Sequence, residues 1–406
     1  MGKIRFIHTA DLHLGSPFTG MKGLQKEQWK KLKDSTLDAF DKLIDYAVAE
    51  QPDFLLIVGD IYDGEDRNIR AQHRFQLGME RLQKAGIPVV ISYGNHDHLS
   101  GKWTRFELPD NVHVFGPAVS QIKLSTENGE VVITGFSYGE RHIKQAMISS
   151  YPPAEDQEQF HIGMLHGSME GETAHAVYAP FTKEQLLRKN YDYWALGHIH
   201  MRQELHREPS IIYPGNIQGR HTGEAGQKGF YDVMLSKQET VLSFVPVSVL
   251  QFDHLMVPCS GLVHMNEVLE ACREAASHYA GRNGAAIVEL KFVNIDAETA
   301  ELFKEITEDE LVETVREAIE ADEEFVWVRS ISVEESATHL PLSPLGEQII
   351  HTMKEWNTHD WKEVLNDLYR HPKGSRFLDT LDSQAIEELQ DGAVQKIRRG
   401  MQIEES

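Results

Sequence analysis

Five short clusters in this 406-residue chain carry side chains able to hold a metal ion: 11-DLH-13, 59-GDIYD-63, 94-GNHD-97, 166-HG-167 and 197-GHIH-200. Together they offer Asp11, His13, Asp60, Asp63, Asn95, His96, Asp97, His166, His198 and His200, a set of carboxylates, imidazoles and one amide without a thiolate. Such a mixture suits borderline-to-hard divalent ions such as manganese, iron, zinc or magnesium. A turn would use Gly94 and Asn95, but it has no need of His96 and Asp97. Asp11 and His13, like His198 and His200, are spaced i, i+2, which in extended backbone turns both side chains of a pair to one side. The chain holds 21 histidines. A lone one is ordinarily solvated or hydrogen-bonded, and His73, His113, His175 and His254 read that way.

What sets the five clusters apart is that each directly follows an apolar run. Those runs are 4-IRFIHT-9, 54-FLLIV-58, 88-PVVIS-92, 160-FHIGML-165 and 193-YWALG-197, and two more lie at 131-VVITGF-136 and 210-SIIYPG-215. Amphipathic stretches separate the first three; in 35–51, Leu37, Phe40, Leu43, Ile44 and Ala47 fall at helical spacing. Strand–helix alternation at this pitch predicts an α/β core over residues 1–250, and α/β sheets assemble their sites at strand ends. A hairpin at 229-GFYDVMLS-236 and 240-TVLSFVPVS-248 makes a mixed sheet, or two packed sheets, a better fit than a purely parallel one. Residues 251–338 read as a small α/β unit: a helix near 264–280, a strand at 285–293, acidic helices to about 322 and a strand at 324–333. The two prolines of 340-LPLSPLG-346 suggest a linker. Over 345–406, Leu345, Ile349, Ile350, Met353 and Trp356, then Trp361, Val364, Leu365 and Leu368, form apolar helix faces ahead of a charged tail.

Composition limits the partners. A formal charge of −23 is awkward for a protein gripping nucleic acid, which usually presents a basic stripe. Any such role must take positive charge from bound metals, a local patch or a partner. Apolar content of 41% and charged content of 25% are ordinary for a folded chain. No apolar run approaches the roughly 20 residues of a membrane span, so no membrane association is expected, and the N-terminus turns polar too early for a signal peptide. Cys259 and Cys272 are the sole cysteines. They argue against a disulfide framework or thiolate zinc site and for a cytoplasmic location.

Taken in order, D-x-H, G-D-x-x-D, G-N-H-D, H-G and G-H-x-H resemble the motifs of calcineurin-like metallophosphoesterases. Within that superfamily 8-HTADLHLGSPF-18, 178-YAPFTKEQL-186 and 193-YWALGHIH-200 are similar to SbcD-type DNA repair exonucleases, and 213-YPGNIQGRH-221 to their YhaO-type subgroup. The resemblance, over about residues 1–250, implies two mixed β-sheets sandwiched between helical layers, with a small α/β capping domain and C-terminal helices beyond. It implies two divalent metal ions, manganese foremost: one on Asp11, His13 and His200, the other on Asn95, His166 and His198, with Asp60 bridging. His96 would then face the phosphate as charged donor or acid, oriented and kept protonated by Asp97. Asp63 is expected in a supporting or turn role, since some relatives carry histidine there.

Arg220 and Asn216, with His221 beside them, are candidates to meet substrate; an ordinary surface salt bridge is the competing reading of Arg220. Tyr178 and Phe181 would stack on a base or pack a lid. The implied function is a metal-dependent phosphodiesterase, acting on DNA as a repair exonuclease or endonuclease. An SbcC-like, SMC-type coiled-coil ATPase would dock on residues 345–406 and bury Trp356 and Trp361; a homodimer is a further assembly the resemblance suggests. The rival reading is a phosphoesterase for small nucleotides or phosphoproteins. A scaffold with a vestigial site is the third, and the intact ligand set argues against it.

Overall fold

A computed structural model describes the chain except residues 1, 19–20, 22, 65–67, 102–105, 157, 171–177, 304–305, 320–324, 334–342, 370–385, 387–388, 391, 395–396 and 398–406. His175, residues 340–342 of the linker and the end of the charged tail therefore lie outside the described residues. The chain packs as two compact units, one of Met1–Val257, Asn266–Lys291 and Ile306–Ser332, the other of Pro258–Met265, Phe292–Glu305 and Val333–Ser406.

The first unit holds two six-stranded sheets. In chain order their strands are β1 (Ile4–Ala10), β2 (Phe54–Val58), β3 (Val89–Ser92), β4 (Val112–Val114), β5 (Ser120–Thr126) and β6 (Gly129–Gly135). They continue with β7 (Phe160–His166), β8 (Tyr193–Gly197), β9 (Gln203–His206), β10 (Ser210–Tyr213), β11 (Gly229–Leu235) and β12 (Thr240–Pro246). One sheet runs β12-β11-β1-β2-β3-β4 and the other β5-β6-β7-β8-β10-β9. Strands β1 to β4 are mutually parallel, as are β6, β7, β8 and β10, whereas β11, β12, β5 and β9 pair antiparallel. Both sheets are therefore mixed, as the sequence leads one to expect.

Alternation along each strand explains the layers. Phe54, Leu56 and Val58 point between the sheets, where they meet Ile133, Ile162, Met164, Tyr193 and Ala195. Leu55 and Ile57 point the other way, onto helices α1 (Lys26–Glu50) and α2 (Ile69–Lys84), through Phe40, Leu43, Ile44, Phe75 and Met79. With both faces covered, β2 reads as an unbroken apolar run rather than an alternating one. Trp194, Leu196 and Ile211 on the far face of the second sheet pack against Tyr151, Phe181 and Leu186. Helix α1 begins nine residues before the periodic stretch seen in sequence, because its first turns are polar and held by the reciprocal cap of Gln25 and Gln28.

Three further strands, Gln251–Pro258, Ala286–Val293 and Val326–Val333, form a small sheet in that order, with helices Met265–Asn283 and Glu308–Ile319 between them in the chain. Residues 251–338 thus carry their own sheet, yet most of them pack as one unit with the first 257 residues. In the second unit Pro344 is the first residue of helix Pro344–Lys354, capped by Ser343. That corrects the linker reading at its end: proline here starts a helix, where its missing N–H costs nothing. Trp356 and Trp361 meet edge to face at 5.1 Å, in a cluster with Met353 and Ile386. Trp361 is buried within the chain while Trp356 stays half-buried, so the expectation that a partner buries both tryptophans is corrected for Trp361 alone. Among the described residues no helix is long and apolar enough to cross a membrane.

Candidate metal centre

Because β1, β2 and β3 are parallel, and β7 and β8 likewise, the clusters that follow them emerge at C-terminal strand ends. Backbone bonds lock the tips together: Asp11 N–H donates to Gly59 O at 3.2 Å, His13 N–H to Asp60 O at 3.0 Å, and Gly59 N–H to Ser92 O at 2.8 Å. The i, i+2 pairs are not extended, as the sequence suggested. Asp11, His13, Asp60 and His198 have φ of 51°, 43°, 49° and 100°, a region costing L-residues about 1–3 kcal/mol each and concentrated at functional sites.

The donor atoms converge on three groups, one of them His13, Asp63 and His96 at the rim; the other two hold the expected ligands. Asp11, His13 and His200 form one, Asp60, His166 and His198 the other, with donor atoms in each lying within 4.8 Å of one another. His13 Nε2 stands 3.1 Å from His200 Nε2. His166 Nε2 stands 3.0 Å from Asn95 Oδ1. Asp60 Oδ2 lies 3.3 Å from His166 Nε2 and 3.9 Å from His13 Nε2, so one carboxylate oxygen serves both groups. Asp11, His13, Asp60, Asn95 and His166 are each at most 3% exposed.

These atoms fit divalent cations on their own geometry. His166 Nδ1 donates to Val58 O at 3.2 Å, and His200 Nδ1 lies 2.6 Å from a Glu224 carboxylate oxygen. An acceptor at each Nδ1 draws the ring proton there and leaves Nε2 as a lone pair turned inward. Buried lone pairs facing carboxylate and amide oxygens repel unless a cation or proton stands between them. In the metal-free protein a proton does so at His166, whose pKa is pushed up to about 9: burial works against this and is outweighed by Asp60, then Asp11. Burial raises Asp11, opposed by His200 and His166. Asp60 is also deeply buried, but His166 and His96 hold it well below the usual carboxylate range.

Two glycines preceding ligands have a steric reason, to which Gly59 adds a positive φ of 78°. A Cβ on Gly94 would stand 2.2 Å from Asp60 Oδ1, and one on Gly59 would stand 2.0 Å from His166 Nδ1. Ligand rings and carboxylates lie directly on these backbones.

His96 sits at the rim, its side chain 31% exposed. Its N–H donates to Asp60 Oδ1 at 2.9 Å, and its ring Nδ1 lies 3.3 Å from Asp63 Oδ1. Burial lowers the affinity of His96 for a proton, but Asp60 and Asp63 more than compensate and raise its pKa. The orienting role expected of Asp97 falls to Asp63, because Asp97 accepts the N–H groups of Ile61 and Gly94, each at 2.7 Å, and so pins two strand-end turns together. Asp63 also accepts from Ser16 Oγ and faces His13 Nδ1 at 3.5 Å. Burial opposes its ionisation, yet His13 and His96 keep it well below the usual range.

Arg220 is not a surface ion pair. It lies within the site, 3.4 Å from Asp63 and 3.1 Å from Glu224. Asn216, 1% exposed, donates its amide N–H groups to Glu224 Oε2 at 2.7 Å and Gln218 O at 2.9 Å. Phe181 is buried in the core, while the half-buried Tyr178 places its ring 5.1 Å from that of His198. His73 packs beside Phe106 and His254 pairs with Glu289 at 3.4 Å; His113 is half-buried in β4. Glu224 escaped the sequence reading. Its only signal is a carboxylate four residues after Arg220.

A family model described as calcineurin-like phosphoesterase matches residues 4–202. An uncharacterized metallophosphoesterase, YhaO of Bacillus subtilis, is 34% identical over 98% of both chains. The DNA double-strand break repair protein Mre11 of Saccharolobus solfataricus is 26% identical over 61% of this chain and 64% of that one. Mre11 of Sulfurisphaera tokodaii is 26% identical over 54% and 57%. A dimetal phosphatase structure from Danio rerio aligns with 61% of this chain and all of its own at a TM-score of 0.34 and 11% identity, too low to argue from.

Proposed function

This chain belongs to the calcineurin-like phosphoesterases, metal-dependent hydrolases, and from that premise we propose that it cleaves DNA phosphodiesters with two divalent ions, manganese foremost. The observation that carries the reading is Asp60 Oδ2 set between two groups of buried imidazoles, 3.3 Å from His166 and 3.9 Å from His13. Likeness to Mre11 proteins over more than half of this chain supports DNA as substrate. Asp11, His13 and His200 would hold one ion, and Asn95, His166 and His198 the other, with Asp60 shared. Ions so held supply Lewis acidity and offset charge on the phosphate and on the attacking water oxygen.

The protein's own groups do the rest. His96, whose hold on its proton Asp60 and Asp63 strengthen, would present Nε2–H to a phosphate oxygen and give that proton to the departing alkoxide. Asp63 stays ionised through this transfer, because His13 and His96 stabilise its charge. The amide oxygen of Asn95 adds a ligand without adding negative charge near an anionic substrate. Burial of the ligands keeps water from competing for them.

We also propose an SMC-type, SbcC-like ATPase as partner, in line with the SbcD-type resemblance. Exposed Leu345, Val364 and Leu368, with the half-buried Trp356, provide apolar side chains for it. A homodimer through exposed Ile69 and Leu77 of α2 belongs to the same proposal. The second reading, a phosphoesterase for small nucleotides or phosphoproteins, draws support from the charge of −23. A substrate panel with manganese separates them: linear duplex, single strand, RNA, a cyclic dinucleotide and a phosphopeptide. DNA should be cut fastest. Turnover of the nucleotide or phosphopeptide orders of magnitude above DNA removes the nuclease reading.

A further inference from the structure

The loop following Tyr213 brings Asn216, Arg220, His221 and Glu224 to the metal centre. Glu224 is 6% exposed, and a carboxylate so buried is costly unless N–H groups surround it. They do. Its Oε1 lies 2.6 Å from His200 Nδ1, 3.1 Å from Arg220 Nη2 and 3.4 Å from His221 Nε2. Its Oε2 accepts Asn216 Nδ2 at 2.7 Å and the backbone N–H of Arg220 at 2.9 Å. Five N–H groups thus converge on one buried carboxylate directly behind a residue of the metal-ligand group, His200.

Two consequences follow from the geometry. At His200, Arg220 Nη2 also approaches Nδ1, at 3.0 Å. An arginine N–H cannot accept, so either Nδ1 accepts from Arg220 or both nitrogens donate to the same Glu224 oxygen. The 2.6 Å contact is the shorter and has a full negative charge at one end, which favours the shared acceptor. His200 then carries its proton on Nδ1 and turns the Nε2 lone pair toward Asp11 and His13. At the other side, Arg220 Nη1 reaches Asp63 Oδ2 and Ser16 Oγ, each at 3.4 Å, and Asp63 Oδ1 stands 3.3 Å from His96 Nδ1. The series His200, Glu224, Arg220, Asp63, His96 alternates proton donors with carboxylates around one flank of the site, so each planar group is fixed by its neighbours.

We propose that Glu224 is a positioning residue for both halves of this chemistry, setting the ring of His200 for a cation and, through Arg220, setting Asp63 beside His96. The proposal rests on the metal-dependent reading of the site. Its first test needs no substitution. In metal-free protein with ¹⁵N-labelled histidine, followed over a pH series, the His200 nitrogen shifts should identify Nδ1 as the nitrogen that keeps its proton. A proton on Nε2 overturns the proposal. The second test is manganese calorimetry on wild type, Glu224→Gln and Glu224→Asp, with kcat and KM on bis-p-nitrophenyl phosphate at saturating manganese. Glu224→Gln should bind manganese roughly 10–100-fold more weakly and lower kcat with KM little changed, while Glu224→Asp recovers part of both. Manganese affinity and kcat within about twofold of wild type in Glu224→Gln overturn it. Failure of wild type itself to bind manganese sinks the metal reading instead, and if Glu224→Gln does not fold, the His200 tautomer decides alone.

Discussion

Asp11, His13, Asp60 and His198 hold positive φ, and their backbone strain adds to the cost of burying charged and polar groups together. Bound cations offset both, since anything that binds only the folded state stabilises it, by about 2.7 kcal/mol at a hundredfold excess over Kd. EDTA-treated protein should therefore melt lower than protein with manganese, by an amount that grows with manganese concentration; equal melting points would count against the centre. His96→Ala should retain its metals but lose turnover by roughly 10²–10⁴-fold, the range for a general acid, measured as kcat alongside metal content. Unchanged kcat removes His96 from the mechanism. His8 lies outside the centre, buried between Tyr193 OH at 3.0 Å and Leu196 O at 3.1 Å, and burial lowers its pKa from 6.5 to about 3. A histidine kept neutral in the fold contributes stability above its unfolded pKa, and that contribution is lost as pH falls from about 6.5 toward 3. Metal-free protein should thus lose roughly 2 kcal/mol through His8 between pH 7 and pH 5. Urea midpoints should show the loss shrinking in His8→Gln; an equal loss in that variant discards the argument.

Strand ends are where element and chemistry meet. Each of β1, β2, β3, β7 and β8 was readable as an apolar run, because burial on both faces removes the need for polar alternation. What periodicity could not give was the backbone turn after each run or the closeness of the next strand's ligand. Gly94 illustrates this. Its Cβ position is occupied by Asp60 Oδ1 at 2.2 Å and His166 Nε2 at 2.8 Å, so Gly94→Ala should displace two ligands and abolish tight manganese binding. Gly116, with nothing within 4 Å of an added Cβ, provides the control. Manganese calorimetry on the two alanine variants checks this, and equal affinities would mean that the ligands do not lie on the Gly94 backbone. The same loop that carries Glu224 is held by the small sheet, where Thr222 Oγ1 donates to Glu289 at 3.0 Å and accepts from Arg329 Nη1 at 3.1 Å.

At the scale of the whole molecule, the ligands come from residues 11 to 200, and all of them belong to the first unit. The helices Pro344–Lys354 and Thr358–Val364 lie in the second, around their own cluster of Met353 and Trp361. Deleting residues after 342 should leave manganese-dependent turnover of bis-p-nitrophenyl phosphate within about twofold of the full chain, as expected for sites without shared partners. A tenfold loss in a truncated protein that still folds would tie the C-terminal helices to catalysis. The charge of −23 sets a matching expectation for DNA: isolated protein should bind duplex weakly and with strong dependence on salt.

Residue type and order along the chain determined the strands, the chemistry of the ligands and the positions from which they would come, because apolar periodicity and donor chemistry are local properties. Asp11, Asp60, Asn95, His166 and His200 needed no coordinates to be named. Tertiary structure alone decided which carboxylate serves which histidine. Asp63 rather than Asp97 stands beside His96, and Glu224 holds His200 from 24 residues away. Hydrogen bonds of about 3 Å depend on where turns with positive φ direct a side chain, and those directions are fixed by packing between sheets rather than by neighbours in sequence.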